Sequence, residues 1–283
     1  MHAAFRAFVE SIGKESRLRL APTPSGYLHA GNVFNFLLNF VAAKSRGAGL
    51  LLRIDDLDTD RKRTAYVQDV FGTLEWLGIH WDEGPRSTDD FETHWSQHLR
   101  LPLYNDALQI LRSKNLIFAC GKSRRDLAAF NGLYPEHFRE QGLDLDASDV
   151  AWRIKTPPGF PLADFVVRRR DGLPAYQIAS VCDDLHFDIT HAVRGADLEA
   201  STAAQKYLAA CMGVTAFATI KFFHHPLLLN EKGGKLSKSA GSDAVNTLRE
   251  GREGPEKILG DAARWLGLPT ERTYFKATDL VGK

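Results

Sequence analysis

Cysteine is scarce. Cys120, Cys182 and Cys211 are the only three in 283 residues, and they lie far apart. An odd, sparse set excludes a disulfide framework and points to a reducing compartment, so a cytoplasmic protein is expected. Unbroken apolar runs are missing too. No stretch approaches the roughly 18 residues a membrane helix needs, so no membrane partner is expected. Neither sign of charge dominates: 36 Lys+Arg face 35 Asp+Glu, for a net +1. That removes any global electrostatic footprint for nucleic acid and leaves only a local basic patch open. Repeats and low-complexity tracts are absent, and no hydrophobic seam argues against a monomer. The opening residues 1–16 lack a continuous apolar core, with Glu10 and Glu15 interrupting it, so a secretory signal is not expected.

What is present is ordinary for a globular chain: 44% hydrophobic and 25% charged residues, enough for a large core in one or two domains. Ala4, Phe5, Phe8, Val9 and Ile12 are spaced as one face of a leading helix over 1–16. Arg17–Ala21 alternates and then meets Pro22-Thr-Pro-Ser-Gly26, which reads as a strand and a turn. Asn32–Arg46 reads as a buried helix and Gly49–Asp56 as a second strand. Arg61–Gly78 reads as a further helix with Gly78 as its C-cap. Strand, helix, strand, helix in this order predicts a parallel α/β sheet. Over 115–163 the pattern weakens among prolines and glycines, which predicts an insertion. Patterning resumes over 164–242, with a helix at Ala200–Met212 and a strand at Thr219–Phe223. A helical tail is expected over 243–283.

Two segments could carry chemistry. The turn Pro24-Ser-Gly-Tyr-Leu-His-Ala-Gly-Asn32 joins a strand to a helix start, where unpaired N–H groups and the positive helix end suit phosphate. His29 adds a donor, and Gly31 allows close approach. The plain alternative is an ordinary turn with an incidental histidine. Lys235-Leu-Ser-Lys-Ser239, flanked by glycines, could close over a polyanion. The plain alternative is a solvated loop.

The ordered combination is more specific. It resembles the two signatures of class I aminoacyl-tRNA synthetases, and specifically the glutamyl/glutaminyl branch. Arg19 to Asn32 resembles that branch's "HIGH" segment, and Arg53-Ile-Asp-Asp-Leu-Asp58 its Arg-Ile-Glu-Asp-Thr-Asp element. His225-Pro-Leu-Leu-Leu with Lys235-Leu-Ser-Lys-Ser239 resembles its "KMSKS" region. The resemblance covers roughly residues 17–245. Asp164 to Gly172, Ala175 to Ala179, Asp183-Asp184 and Val193 to Asp197 resemble most closely the truncated paralogues of that branch. Those activate glutamate without tRNA and attach it to queuosine of tRNA(Asp). The stretch after Ser239 is too short for the anticodon-binding domain of the full-length enzymes.

The resemblance implies a Rossmann-like parallel sheet: a catalytic domain in two parts (17–114 and 164–242), an inserted acceptor-stem subdomain (115–163) and a helical tail. It implies ATP with Mg2+, and glutamate and queuosine-containing tRNA(Asp) as partners. His29, Asn32, Lys235 and Lys238 would be catalytic. Thr23, His29, Gly31, Asn32, His225 and Lys238 would hold ATP. Arg19 and Arg194 would hold the carboxylates of glutamate, Asp55 its ammonium, and Tyr176 would hydrogen-bond it. Each charge-assisted bond is worth about 1.5–3 kcal/mol, or about ten- to 150-fold against glutamine. Arg124, Arg125 and Arg168–Arg170 would face tRNA, or be taken up in structural ion pairs.

Two departures stand out. The branch commonly holds zinc through Cys-x-Cys, a Tyr and a later Cys. Here Cys120 and Tyr134 match, but Lys122 and Phe138 occupy the other positions, and one thiolate with one phenol makes no closed site. No zinc is expected, and apolar packing around Phe138 should hold the insertion. Asp55 replaces a Glu, keeping the charge with a shorter reach. Gly121-Lys-Ser123 lacks the first glycine of a phosphate-binding loop, since residue 116 is Leu. His224-His225 lacks further metal ligands nearby. Two alternatives stay open: adenylation with a different acceptor (another tRNA or an amine), and a silent module that binds glutamate or tRNA.

Overall fold

The computed structural model describes residues 2–123, 125–130, 134–226, 245–269 and 271–281. In chain order the elements are α1 (Ala3–Glu10), β1 (Arg17–Leu20), α2 (Ala30–Lys44), β2 (Gly49–Leu52), α3 (Thr64–Leu77), the single turn α4 (Thr88–Asp90) and α5 (Leu101–Ser113). Then come β3 (Ile117–Cys120), β4 (Ala151–Ile154), β5 (Val166–Arg168), α6 (Tyr176–His186), β6 (His191–Gly195), α7 (Glu199–Met212), β7 (Lys221–His225), α8 (Val245–Glu250) and α9 (Glu256–Leu266). The chain forms two compact units. One comprises Met1–Leu99, Ile189–Asp197 and Ile220–Lys283, the other Arg100–Asp188 and Leu198–Thr219.

The first unit is built on parallel strands. β1 pairs with β2 in the register Arg17↔Gly49, and β6 with β7 in the register His191↔Lys221. β1 and β6 are neighbours, joined where Thr190 N donates to Arg17 O at 3.0 Å. Strands covered on both faces need apolar side chains on both, and Leu50, Leu51 and Leu52 are all buried. α2 buries Phe34, Leu37, Leu38 and Val41 against this sheet, and α3 adds Val67, Val70, Leu74 and Leu77. Phe5 and Phe8 of α1 and Leu259, Ala262 and Leu266 of α9 close the same core. α3 stops at Gly78, which is left-handed (φ 66°). A side chain there would also meet Lys276 Cβ at 2.6 Å, so only glycine fits.

The second unit has an antiparallel sheet in the order β3-β4-β5, with Ile117↔Ile154 and Trp152↔Arg168 opposed. Its helices α5, α6 and α7 pack against one another. Asp183 on α6 is buried and receives Arg100 Nε (2.8 Å) and Tyr104 Oη (2.7 Å).

Boundaries differ from the sequence pattern where side chains, rather than periodicity, decide them. α2 begins at Ala30 because His29 caps it. β2 ends at Leu52, although Arg53 N still donates to Leu20 O and Asp55 N to Pro22 O, both at 2.9 Å. The last strand lies at Lys221–His225, after a 3-10 turn over Ala216–Thr219.

Candidate active site

Beyond β1 and β2 the two chains run on in parallel, tied by the Arg53 and Asp55 amide bonds. The β1 chain then turns through Thr23, which is exposed, into the start of α2. His29 is the N-cap: its Nδ1 accepts from Gly31 N at 3.1 Å, and Asn32 Oδ1 accepts from His29 N at 3.1 Å. This reciprocal pair orients both side chains. With Nδ1 accepting, the ring hydrogen of a neutral imidazole belongs on Nε2, which makes that edge a donor. The amides of Asn32 and Val33 bond to His29 O. The Gly31, Asn32 and Val33 amides are thus all engaged within the turn, so the side chains of His29 and Asn32 are the groups it presents. Tyr27, 39% exposed, meets Tyr66 edge-to-face at 5.1 Å.

Charged groups are buried on and just beyond the strands of the same unit. Arg19 on β1, Arg53 and Asp55 after β2, and Arg194 on β6 are all buried. Arg53 grips Asp55 at two points, Nε–Oδ1 2.6 Å and Nη2–Oδ2 3.1 Å. Arg194 lies over Phe222, its guanidinium carbon 4.7 Å from the ring centroid. Asp56 serves the fold. It accepts from Ser96 Oγ (2.7 Å), Gln97 N (2.8 Å) and Lys62 Nζ (3.0 Å). This knot fixes the Arg53–Asp56 segment. The sequence reading missed it, although two consecutive acids after an apolar strand signal that one of them is structural.

His225 closes β7. It is buried, edge-to-face with Phe34 at 5.2 Å, and its Nδ1 donates to Pro226 O at 2.8 Å. Its Nε2 has no hydrogen-bond partner among the described residues. Burial pushes its pKa down against the pull of Pro226 and Asp197. Burial thus favours the neutral ring, in which Nδ1 donates and Nε2 is the accepting edge.

Thr23, His29, Gly31, Asn32, Arg19, Asp55, Arg194 and His225 all belong to the first unit. Tyr176 begins α6 in the second unit, 42% exposed. Lys235 and Lys238 lie outside the described residues.

In the second unit the residues at the positions of the family's zinc ligands do not fit a metal. Cys120 Sγ accepts from Tyr134 Oη (3.3 Å) and from Lys122 N (3.4 Å). Lys122 Nζ sits 4.7 Å from the centroid of the Phe138 ring. Gln141 Nε2 donates to Tyr134 Oη (2.7 Å) and to Phe138 O (2.6 Å). A cation–π pair and a hydrogen-bonded phenol occupy the corner where thiolates would converge. Among the described residues, no group of three or more His, Cys, Asp or Glu could hold a metal. Of the arginines expected at a tRNA edge, Arg168, Arg169 and Arg170 are engaged, while Arg125 is exposed. Arg169 pairs with Asp171 (2.5 Å), Arg170 with Asp149 (3.4 Å), and Arg168 lies over Trp152 at 4.8 Å. Arg124 lies outside the described residues. Among the described residues no helix is long and apolar enough to cross a membrane.

Comparison with known proteins gives the family and the fold. The model of the tRNA synthetases class I (E and Q) catalytic domain matches residues 15–126 and 144–279. A Synechococcus protein named glutamyl-Q tRNA(Asp) synthetase is 37% identical over 270 residues, covering 94% of this chain and 88% of its own. A protein of the same name from Methylococcus capsulatus is 36% identical, covering 90% and 84%. A solved glutamate tRNA ligase from Elizabethkingia meningosepticum, in complex with its amino acid, superposes with a TM-score of 0.70 at 24% identity. The match covers 88% of this chain but only 60% of that one, and speaks to the fold alone.

Proposed function

The chain belongs to the class I tRNA synthetases for glutamate and glutamine, and on that premise we propose that it converts glutamate and ATP, without tRNA, to glutamyl-adenylate and pyrophosphate and then passes the glutamate to queuosine of tRNA(Asp). The observation that carries the reading is the buried set Arg19, Arg53–Asp55 and Arg194, beside a turn whose helix is capped by His29 and Asn32. A dicarboxylate amino acid and a triphosphate need this pairing of guanidiniums with phosphate donors.

A carboxylate is already a nucleophile, so the first step needs no general base. An oxygen of the glutamate α-carboxylate bonds to the α-phosphorus as the bond to the bridging oxygen of the β-phosphate breaks. Pyrophosphate leaves with that electron pair. His29 Nε2 and the Asn32 side chain meet the growing phosphate charge, with Lys235 and Lys238 completing the set. Mg2+ accompanies the ATP. Arg19 and Arg194 orient the two carboxylates, Asp55 the ammonium, and Tyr176 adds a hydrogen bond. Thr23, Gly31 and the accepting Nε2 of His225 line the nucleotide. A queuosine hydroxyl then attacks the carbonyl carbon, AMP leaves, and the hydroxyl proton goes to the phosphate. The protein would act as a cytoplasmic monomer.

ATP–pyrophosphate exchange without tRNA, run separately with glutamate, glutamine and aspartate, tests the first half. Exchange with glutamate alone is expected. No exchange with any of them, with or without tRNA, would overturn the reading and favour a silent binding module.

A further inference from the structure

Beside its apolar stripe, α3 carries a second one. Asp69, Gly72, Thr73 and Trp76 recur at i, i+3, i+4 and i+7 and so share one face. That face meets α8. Arg249 lies across it, with Nη2 3.2 Å from Asp69 Oδ1. Its Nη1 donates to Asp69 O (3.2 Å) and to Thr73 Oγ1 (3.1 Å). One turn on, Trp76 Nε1 donates to Glu253 O at 3.0 Å. Gly72 makes the room. A Cβ there would lie 2.6 Å from Arg249 Nη1 and 3.1 Å from its guanidinium carbon. Glycine inside a helix weakens it, and the guanidinium above accounts for its presence.

The same carboxylate reaches the other way. Asp69 Oδ2 accepts from Leu28 N at 2.9 Å, one residue before the His29 cap. Leu28 O in turn accepts from Val245 N, the first residue of α8, at 2.9 Å. Leu28 is therefore held at both its N–H and its C=O, by two segments that Arg249 and Asp69 bind together. Burial raises the pKa of Asp69, while the Leu28 amide and Arg249 oppose that rise. By sequence, Lys238 stands seven residues before Val245, the first residue of α8.

We propose that Asp69 is a positioning residue for adenylation. Through Leu28 on one side and Arg249 on the other, it sets the His29 turn and α8 in one register. This rests on the adenylation reading above. Donors on two distant segments must meet one triphosphate at fixed spacing, and a misplacement of about 1 Å can cost about a hundredfold in rate. Asp69 itself touches no substrate. An Asn there keeps an acceptor for Leu28 N but turns an NH2 toward Arg249, donor against donor.

The test uses the full chain and two readouts. In glutamate-dependent exchange, Asp69→Asn should lower kcat about ten- to a hundredfold, with the KM for glutamate essentially unchanged, because Arg19, Asp55 and Arg194 are untouched. Gly72→Ala, which displaces only the guanidinium, should lower kcat in the same direction. Arg249→Lys should retain part of what Arg249→Met loses. Combining Asp69→Asn with Arg249→Met should cost no more than the worse single change, since they share one device. In amide hydrogen exchange, Asp69→Asn should speed exchange at both Leu28 and Val245. An unchanged kcat, or a loss shared by the KM for glutamate with exchange raised throughout the chain, would overturn the proposal. If the wild-type protein shows no glutamate-dependent exchange, the adenylation reading fails. Unchanged exchange at Leu28 and Val245 in Asp69→Asn would separately overturn the coupling.

Discussion

Asp55 and Arg53 hold each other at two points while buried, and this governs what substitution does. Asp55→Ala removes a charge-assisted pair worth about 1.5–3 kcal/mol and should lower the urea midpoint accordingly. It should also raise the KM for glutamate. An unchanged midpoint would show that the pair contributes nothing net. His191 and His225 bear on pH. Burial depresses both, with Lys221 adding to it at His191, while Ser11 opposes it there and Pro226 and Asp197 oppose it at His225. Their folded forms therefore bind fewer protons than the unfolded chain. The stability that follows is full above the ordinary histidine value of 6.5 and is lost as pH falls through their depressed values. Tm should drop between pH 7.5 and 5.5, and His225→Leu should flatten that drop; an unaltered slope would contradict it. At this scale the family was legible in the ordered signature residues, whose individual roles are those proposed above. The capping role of His29 was not, since it depends on which nitrogen turns toward Gly31.

The elements themselves were legible wherever periodicity was strong. α2 and α3 follow from apolar spacing, and Gly78 ends α3 as its sequence position suggests. Ends set by side chains were not legible, such as β2 stopping at Leu52 while its amide bonding runs on. The β3-to-β4 segment was read from two lost ligand positions, and the structure adds what fills them. Lys122 over Phe138 is worth about 0.5–1 kcal/mol. Phe138 also packs edge-to-face on Phe130 at 5.4 Å and Tyr134 at 5.7 Å. Phe138→Ala should therefore destabilise the chain by more than Lys122→Ala does. A chelator should leave the Tm of the purified protein unchanged, and a fall in Tm on chelation would contradict the metal-free arrangement.

At the scale of the whole molecule, the candidate residues are scattered along the chain, and Arg19, Asp55, Arg194 and His225 are drawn from distant segments into the first unit. Arg194 lies in a short return of the chain, Ile189–Asp197, to the first unit. Arg249 and Asp69 are 180 residues apart in sequence yet share a hydrogen bond and an ion pair. No local pattern encodes such a meeting. Its trace in the sequence is the polar Asp69 and Thr73 beside the buried stripe of α3, with a glycine between them. The account's central claim is a glutamate activated without tRNA and delivered to a modified base. Labelled glutamate and ATP, incubated with queuosine-containing or queuosine-free tRNA(Asp), test it most directly. Label should enter only the queuosine-containing tRNA and should follow the queuosine nucleoside after nuclease digestion. Label at the 3′ end of any tRNA, or equal labelling of the queuosine-free form, would contradict it.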